Sequence, residues 1–194
     1  MLLERSLRLT LRHFSTLFLL VAIVTIPLHI AYAFAFRDVI AVSELHSQIE
    51  DFPPGRQVQG VGPGDLDAAR LALLGLTIAE LALIPVLVRV AARVATVDEE
   101  GGVPTLGDAW SHRRESDASL VHALGSDGVK AVLGTLVVAV ALGVVLERIG
   151  ISVVEPVSAE DAFAGIGLVQ ACSRAAAAPF FLVGVAVAGR KAKA

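Results

Sequence analysis

Four long apolar blocks leave this chain few ways to fold. They are Phe14–Phe36, Leu71–Val88 with its helix extending to about Thr96, Val129–Leu146 reaching toward Ile149, and Phe163–Ala188. About 20 apolar residues in a helix cross the hydrocarbon core of a bilayer, and each block approaches or exceeds that length. No water is present there to bond a free N–H or C=O. A spanning segment must therefore satisfy its own backbone as a helix, or join a closed barrel. A barrel needs short alternating strands, and nothing in these blocks alternates. The sequence predicts an all-α, polytopic membrane helix bundle with four transmembrane helices. It forms a single membrane domain over residues 1–194, with spans at about 14–36, 71–96, 129–149 and 163–188.

Composition agrees where it bears on the question. Of 194 residues 55% are hydrophobic and only 18% charged, whereas a soluble domain carries about a quarter charged residues. A net charge of −3 with no basic run in a soluble stretch excludes nucleic acid as a partner. Cys172 is the one cysteine and lies inside a span, which excludes a disulfide framework and a thiolate metal centre. Arginine far outnumbers lysine, and Ala, Val, Leu and Gly dominate, a bias found in bacteria with GC-rich genomes; the expected location is a bacterial inner membrane. The basic start (Arg5, Arg8, Arg12), the apolar run and Ala31–Ala33 together imitate a signal peptide. That run is longer than a signal-peptide core and carries no charge if His29 is neutral, so it reads as a retained first span.

Lys and Arg near the span ends set the orientation. Arg5, Arg8, Arg12, Arg89, Arg93, Arg113, Arg114, Lys130, Arg190, Lys191 and Lys193 fall on one side, eleven in all. Arg37, Arg56, Arg70 and Arg148 make four on the other, with Arg174 inside a span. The bias predicts cytoplasmic N- and C-termini and a cytoplasmic middle connection.

In the first outer connection, Val39, Val42, Leu45, Ile49 and Phe52 recur at helical spacing, extending the first helix or turning it along the membrane surface. Pro53-Pro54-Gly55 and Gly60-Val61-Gly62-Pro63-Gly64 then predict a loop. The cytoplasmic connection opens on the stop Asp98-Glu99-Glu100-Gly101-Gly102. Thr105 and Asp108 follow as a capping box, starting a helix over about 105–124. Trp110 beside Arg113 and Arg114 suits a headgroup interface, or a soluble helix capping the bundle.

Glu80 and Arg174 are the most informative residues. Each sits near the middle of a span, where an unpaired charge costs at least about 2.5–3.5 kcal/mol. Both helices run inward in the derived topology. At 1.5 Å per residue Glu80 lies about 13 Å deep and Arg174 about 16 Å, which predicts a salt bridge between the second and fourth spans. A pair that fixes helix register is favoured over a proton or ion relay or a headgroup pocket. Pro85 follows Glu80 by five residues and Pro179 follows Arg174 by five. Each proline permits a kink, as does Pro27 in the first span, and the match hints at a duplicated helical hairpin with parallel repeats. Gln170, one turn from Arg174, and His29 complete the intramembrane polar set. For His29 a hydrogen-bonded packing role is favoured over haem or pigment ligation or proton relay.

Small residues recur four apart at Gly167, Ala171 and Ala175, at Gly184 and Ala188, at Gly75 and Ala79, and at Ala139 and Gly143. Such stripes let helices approach closely, and packing within one bundle is favoured over a dimer contact. His13, His46, His112 and His122 are scattered, so no zinc set and no cofactor are expected. Neither a Gly-x-Ser-x-Gly elbow nor a phosphate loop is present.

The opening Leu7-Arg8-Leu9-Thr10-Leu11-Arg12-His13-Phe14-Ser15-Thr16-Leu17 is a basic amphipathic helix running into a span with Pro27. The connection Gly102-Val103-Pro104-Thr105-Leu106-Gly107-Asp108-Ala109-Trp110 and a last span with Pro179 before a basic tail accompany it. These features resemble bacterial proteins related to the glycerophosphoryl diester phosphodiesterase membrane domain. That group usually has about six spans where four are counted here, and its catalytic domain is absent. The resemblance implies a membrane domain tied to lipids or to a partner, with no hydrolase activity. The function expected is a non-enzymatic structural, regulatory or accessory component, with a small transporter or channel subunit as the alternative. Its partners would be membrane lipids, with another membrane protein or a second copy of the chain.

Overall fold

A computed structural model describes residues 2–35, 63–115, 118, 123–125, 128–154 and 159–190, with side chains described outside 63–66 and 159–163. The expected surface helix and first proline-rich loop after residue 36, the basic tail beyond 190, and most of the expected helix past residue 115 lie outside these residues. Among the described residues the chain is all-α. Its helices are α1 (Leu2–Arg12), α2 (Phe14–Ala35), α3 (Pro63–Glu99), α4 (Leu106–Ser111), α5 (Val129–Val154) and α6 (Ala159–Ala188), with a 3-10 turn at Arg113–Glu115. Four of them contain segments long and apolar enough to cross a bilayer: Phe14–Ala35, Asp67–Glu99, Val129–Val154 and Ala164–Ala188. The protein is a multi-pass membrane helix bundle.

The helices outrun the apolar blocks, because a helix can continue through polar residues once it leaves hydrocarbon. α3 begins at Pro63, not Leu71. This corrects the reading of Pro63-Gly64 as loop: proline is well suited to a first helical turn, where its missing N–H would have no partner. At its other end α3 stops as the sequence predicts. Gly101 takes the left-handed backbone (φ +78°), and the Gly102 N–H bonds the Val97 carbonyl at 2.9 Å while the Gly101 N–H bonds Asp98. This is a Schellman closure.

α6 is the hub. Within its span 67% of residues are buried inside the protein, against 17% for α3 and 22% for α5. It packs most closely on α5 and α2, then on α3, and it also meets α1. α5 and α6 are antiparallel and pressed together at small residues. A Cβ on Gly184 would meet Thr135, one on Gly150 would meet Val169, and one on Gly165 would meet Val154. Gly167 is covered likewise by Ala33 of α2. Ala171 and Ala175 are fully buried. The second-span pair behaves differently: a Cβ at Gly75 would have nothing within 4 Å, and Ala79 is exposed. Between Asp67 and Val86 only Ala69 of α3 is buried, so the N-terminal half of this helix presents most of its surface away from the bundle. Leu71, Leu74, Ile78 and Leu81 are more than half exposed there, as are Val137, Val140 and Ile149 on α5. Apolar faces of this extent suit hydrocarbon, not water.

The connection after α3 departs from expectation. Thr105 caps α4 as predicted, its hydroxyl accepting the Asp108 N–H at 3.2 Å. The Asp108 carboxylate goes instead to Arg93 of α3, so only half of the capping box forms. The helix expected over 105–124 ends at Ser111. Ser111 turns its hydroxyl back to the Gly107 and Asp108 carbonyls, and the His112 ring faces the Asp108 carbonyl at 3.2 Å. Local side-chain bonds of this kind compete with helix continuation.

Candidate functional site

Among the described residues, two of the three polar groups expected beside Glu80 inside the membrane, His29 and Arg174, converge on it. Its Oε2 accepts a hydrogen bond from Arg174 Nη1 at 2.6 Å, and its Oε1 lies 2.8 Å from His29 Nε2. A carboxylate facing a guanidinium can only accept, so His29 presents Nε2–H to it. Among the described residues the other ring nitrogen, Nδ1, is buried without a hydrogen-bond partner.

Helix register explains why the three side chains meet. α3 and α6 run parallel with an offset of 94 residues, seen at Glu80–Arg174 and again at Thr96–Arg190. Pro85 and Pro179 share that offset, so the two prolines sit at one level. All three helices run unbroken through Pro27, Pro85 and Pro179. Pro179 is fully buried, whereas Pro27 and Pro85 are exposed. α2 lies antiparallel to α6, with Phe14 against Phe180 and Ala33 against Gly167, and so brings His29 to the same level.

The three groups differ in their surroundings. The side chain of His29 is 1% exposed, that of Glu80 19% and that of Arg174 41%. Arg174 thus binds Glu80 through Nη1 while two-fifths of its side chain stays exposed. Gln170 is half-buried and joins none of these hydrogen bonds. Among the described residues no group of three His, Cys, Asp or Glu gathers as for a metal ion.

A second charged cluster closes the end of the bundle where α2 and α5 begin and α3 and α6 finish. Asp98 Oδ1 holds Arg12 at 2.9 Å and His13 at 2.7 Å. Glu99 pairs with Arg5 and, at 2.7 Å, with Arg190. Arg190 also reaches the Ala92 carbonyl and, at 2.9 Å, the Thr96 hydroxyl. In the sequence these arginines mark orientation and a basic start, and Asp98-Glu99 a helix stop, with nothing local to pair them. The missed signal was two acids ending one span at the level where an arginine-rich helix enters another.

Trp110 is half-buried against the apolar core, with the Arg113 guanidinium 5.7 Å from its ring centroid and donating to its backbone carbonyl. Arg114 is exposed. Asp108 receives Arg93 Nε at 3.1 Å and His112 Nδ1 at 3.0 Å. The Arg93 hydrogen bond holds its carboxyl below the ordinary aspartate range.

No family model, curated protein or solved structure matches this chain.

Proposed function

We propose that the protein is a non-enzymatic component of a bacterial inner membrane with a structural or accessory role, in which the His29–Glu80–Arg174 cluster is the pin of the bundle. One observation carries this reading. Both oxygens of Glu80 are engaged, each by a different helix, so one carboxylate fixes the relative level of α2, α3 and α6. Buried polar groups can specify a single register in this way. The cytoplasmic assignment of both termini rests on the eleven-to-four bias of Lys and Arg. The resemblance to phosphodiesterase-related membrane domains favours a role close to lipids or to a membrane partner.

A second reading, a small transporter or channel subunit, is favoured by the exposure of two-fifths of the Arg174 side chain, a charge inside a span. One set of variants separates the two. Under the structural reading Glu80→Gln and Arg174→Gln each destabilise the bundle, and the double variant recovers part of the loss. If all three fold equally well but proteoliposomes lose an ion or proton flux that the unaltered protein supports, the structural reading fails and transport replaces it.

A further inference from the structure

The amphipathic helix α1 has three faces, and together they assign it a place and a ligand. Ser6, Leu9 and Thr10 are buried against the bundle. The Ser6 and Thr10 hydroxyls bond back to the Leu2 and Ser6 carbonyls at 2.8 Å, so this face carries no unmet polar demand. Leu3, Leu7 and Leu11 form a second stripe, with Leu11 66% exposed. Arg5, Arg8 and Arg12, at helical spacing, form a third face that is exposed. A helix with an apolar flank, a basic flank and a protein-facing side lies in the plane of the membrane interface, which is the depth of lipid phosphates.

At that depth a cavity of about 100 Å³ opens between α1 and the end of α3. Arg5, Arg8 and Arg12 line it over Leu9, with Asp98 and Glu99 opposite. The local carboxylates are oversubscribed. Glu99 serves Arg5 and Arg190, Asp98 serves Arg12 and His13, and Glu4 serves Arg8. The cavity lining itself carries three guanidiniums against two carboxylates, which leaves one positive charge there. The Arg5, Arg8 and Arg12 side chains stay 56%, 79% and 69% exposed, so their remaining N–H groups are available. Guanidinium forks match phosphate oxygens in geometry as well as charge.

We propose that this cavity binds the phosphate of an anionic phospholipid, held by Arg5, Arg8 and Arg12. The site is separate from the Glu80 cluster and does not depend on its role. The test is thermal unfolding of the purified full-length protein in detergent, titrated with phosphatidylglycerol or with phosphatidylcholine of the same acyl chains. Phosphatidylglycerol should raise Tm and phosphatidylcholine should not. Arg5 and Arg12 also tie α1 to α3, so the decisive variant is Arg8→Gln, which gives up only an exposed pair with Glu4 on its own helix. It should weaken the apparent affinity for phosphatidylglycerol about fivefold, the weight of one arginine near an anionic surface. Arg70→Gln, on the far end of α3, should leave it unchanged. Equal responses to the two lipids, an undiminished response in Arg8→Gln, or the same Tm rise from inorganic phosphate alone would each overturn the assignment.

Discussion

His29 and Glu80 lie 51 residues apart in the sequence, and their side chains meet with 2.8 Å between Nε2 and Oε1. The other oxygen of the same carboxylate holds Arg174. Glu80 is therefore the shared acceptor of two donors, and neither donor bonds to the other.

This asymmetry ranks the substitutions. Glu80→Ala strands a buried imidazole N–H and a guanidinium together, and should cost about 3 kcal/mol, the lower end for a broken buried pair. His29→Leu removes one donor and its orphaned Nδ1, leaving Glu80 still bonded to Arg174, and should cost about 1 kcal/mol. Arg174 is two-fifths exposed, so Arg174→Gln should fall between them. Unfolding in mixed anionic and neutral detergent, followed by circular dichroism, gives the order. A His29→Leu protein less stable than Glu80→Ala would show that His29 does more than donate to this carboxylate.

The glycines of the bundle should separate by what lies above them. A Cβ at Gly184 would meet Thr135 Oγ1 and come within 2.7 Å of Thr135 Cβ, and the latter atom cannot swing away. Gly184→Ala should force α5 and α6 apart and cost about 1–3 kcal/mol, as overpacking does. Gly143→Ala meets Ala177 at an ordinary 3.4 Å and should be nearly neutral. Gly75→Ala meets nothing and should be neutral or slightly stabilising. Equal losses at Gly184 and Gly75 would mean that α3 carries a packing contact beyond this chain.

Much of this arrangement is legible before folding because hydrocarbon imposes length and charge rules. The apolar blocks mark the spans, and two opposite charges at matching depth bring Glu80 and Arg174 onto facing helices. His29 is harder to read: a lone imidazole has no sign to match, and only the antiparallel register of α2 against α6 shows that it reaches Glu80. The bend at His13 is also invisible locally. Backbone bonds run through it from His13 to Leu9 and from Leu17 to His13, and the ring is engaged by Asp98, 85 residues away. The early end of α4 escaped notice because hydrophobic periodicity carries no information about Ser111 and His112 competing for backbone carbonyls. The helix ends at Pro63 and Val154 escaped because charge marks where hydrocarbon stops, whereas helices stop elsewhere.

The link between α3 and α4 has a defined acid limit. Arg93 lowers the pKa of Asp108, so the pair stabilises the fold fully above the unfolded aspartate pKa of about 3.9. That contribution is lost as pH falls through the lower folded value. Between pH 5 and 8 it is constant. Asp108→Asn should therefore raise amide exchange in Leu106–Ser111 by the same factor at pH 5.5 and pH 7.5. A factor that differs between the two pH values would show that the Arg93 pair is not the interaction the substitution removes.

Sidedness can be read through the chain's single cysteine. Cys172 lies in a span, half-buried, so Cys172→Ser gives a background without thiols. Val103, 84% exposed on the connection between α3 and α4, is a site where a new cysteine disturbs no packing. It shares its end of the bundle with α1, because α1 and the last turn of α3 meet through Arg5–Glu99 and Arg12–Asp98. If Lys and Arg set the orientation, a membrane-impermeant maleimide should label Val103→Cys in intact cells only after permeabilisation. An added cysteine before Leu2 should behave the same way, since one ion-paired cluster holds both positions on one face. Labelling of both in intact cells would invert the topology and leave the bundle unchanged. Opposite behaviour of the two would be incompatible with the Asp98 and Glu99 cluster itself.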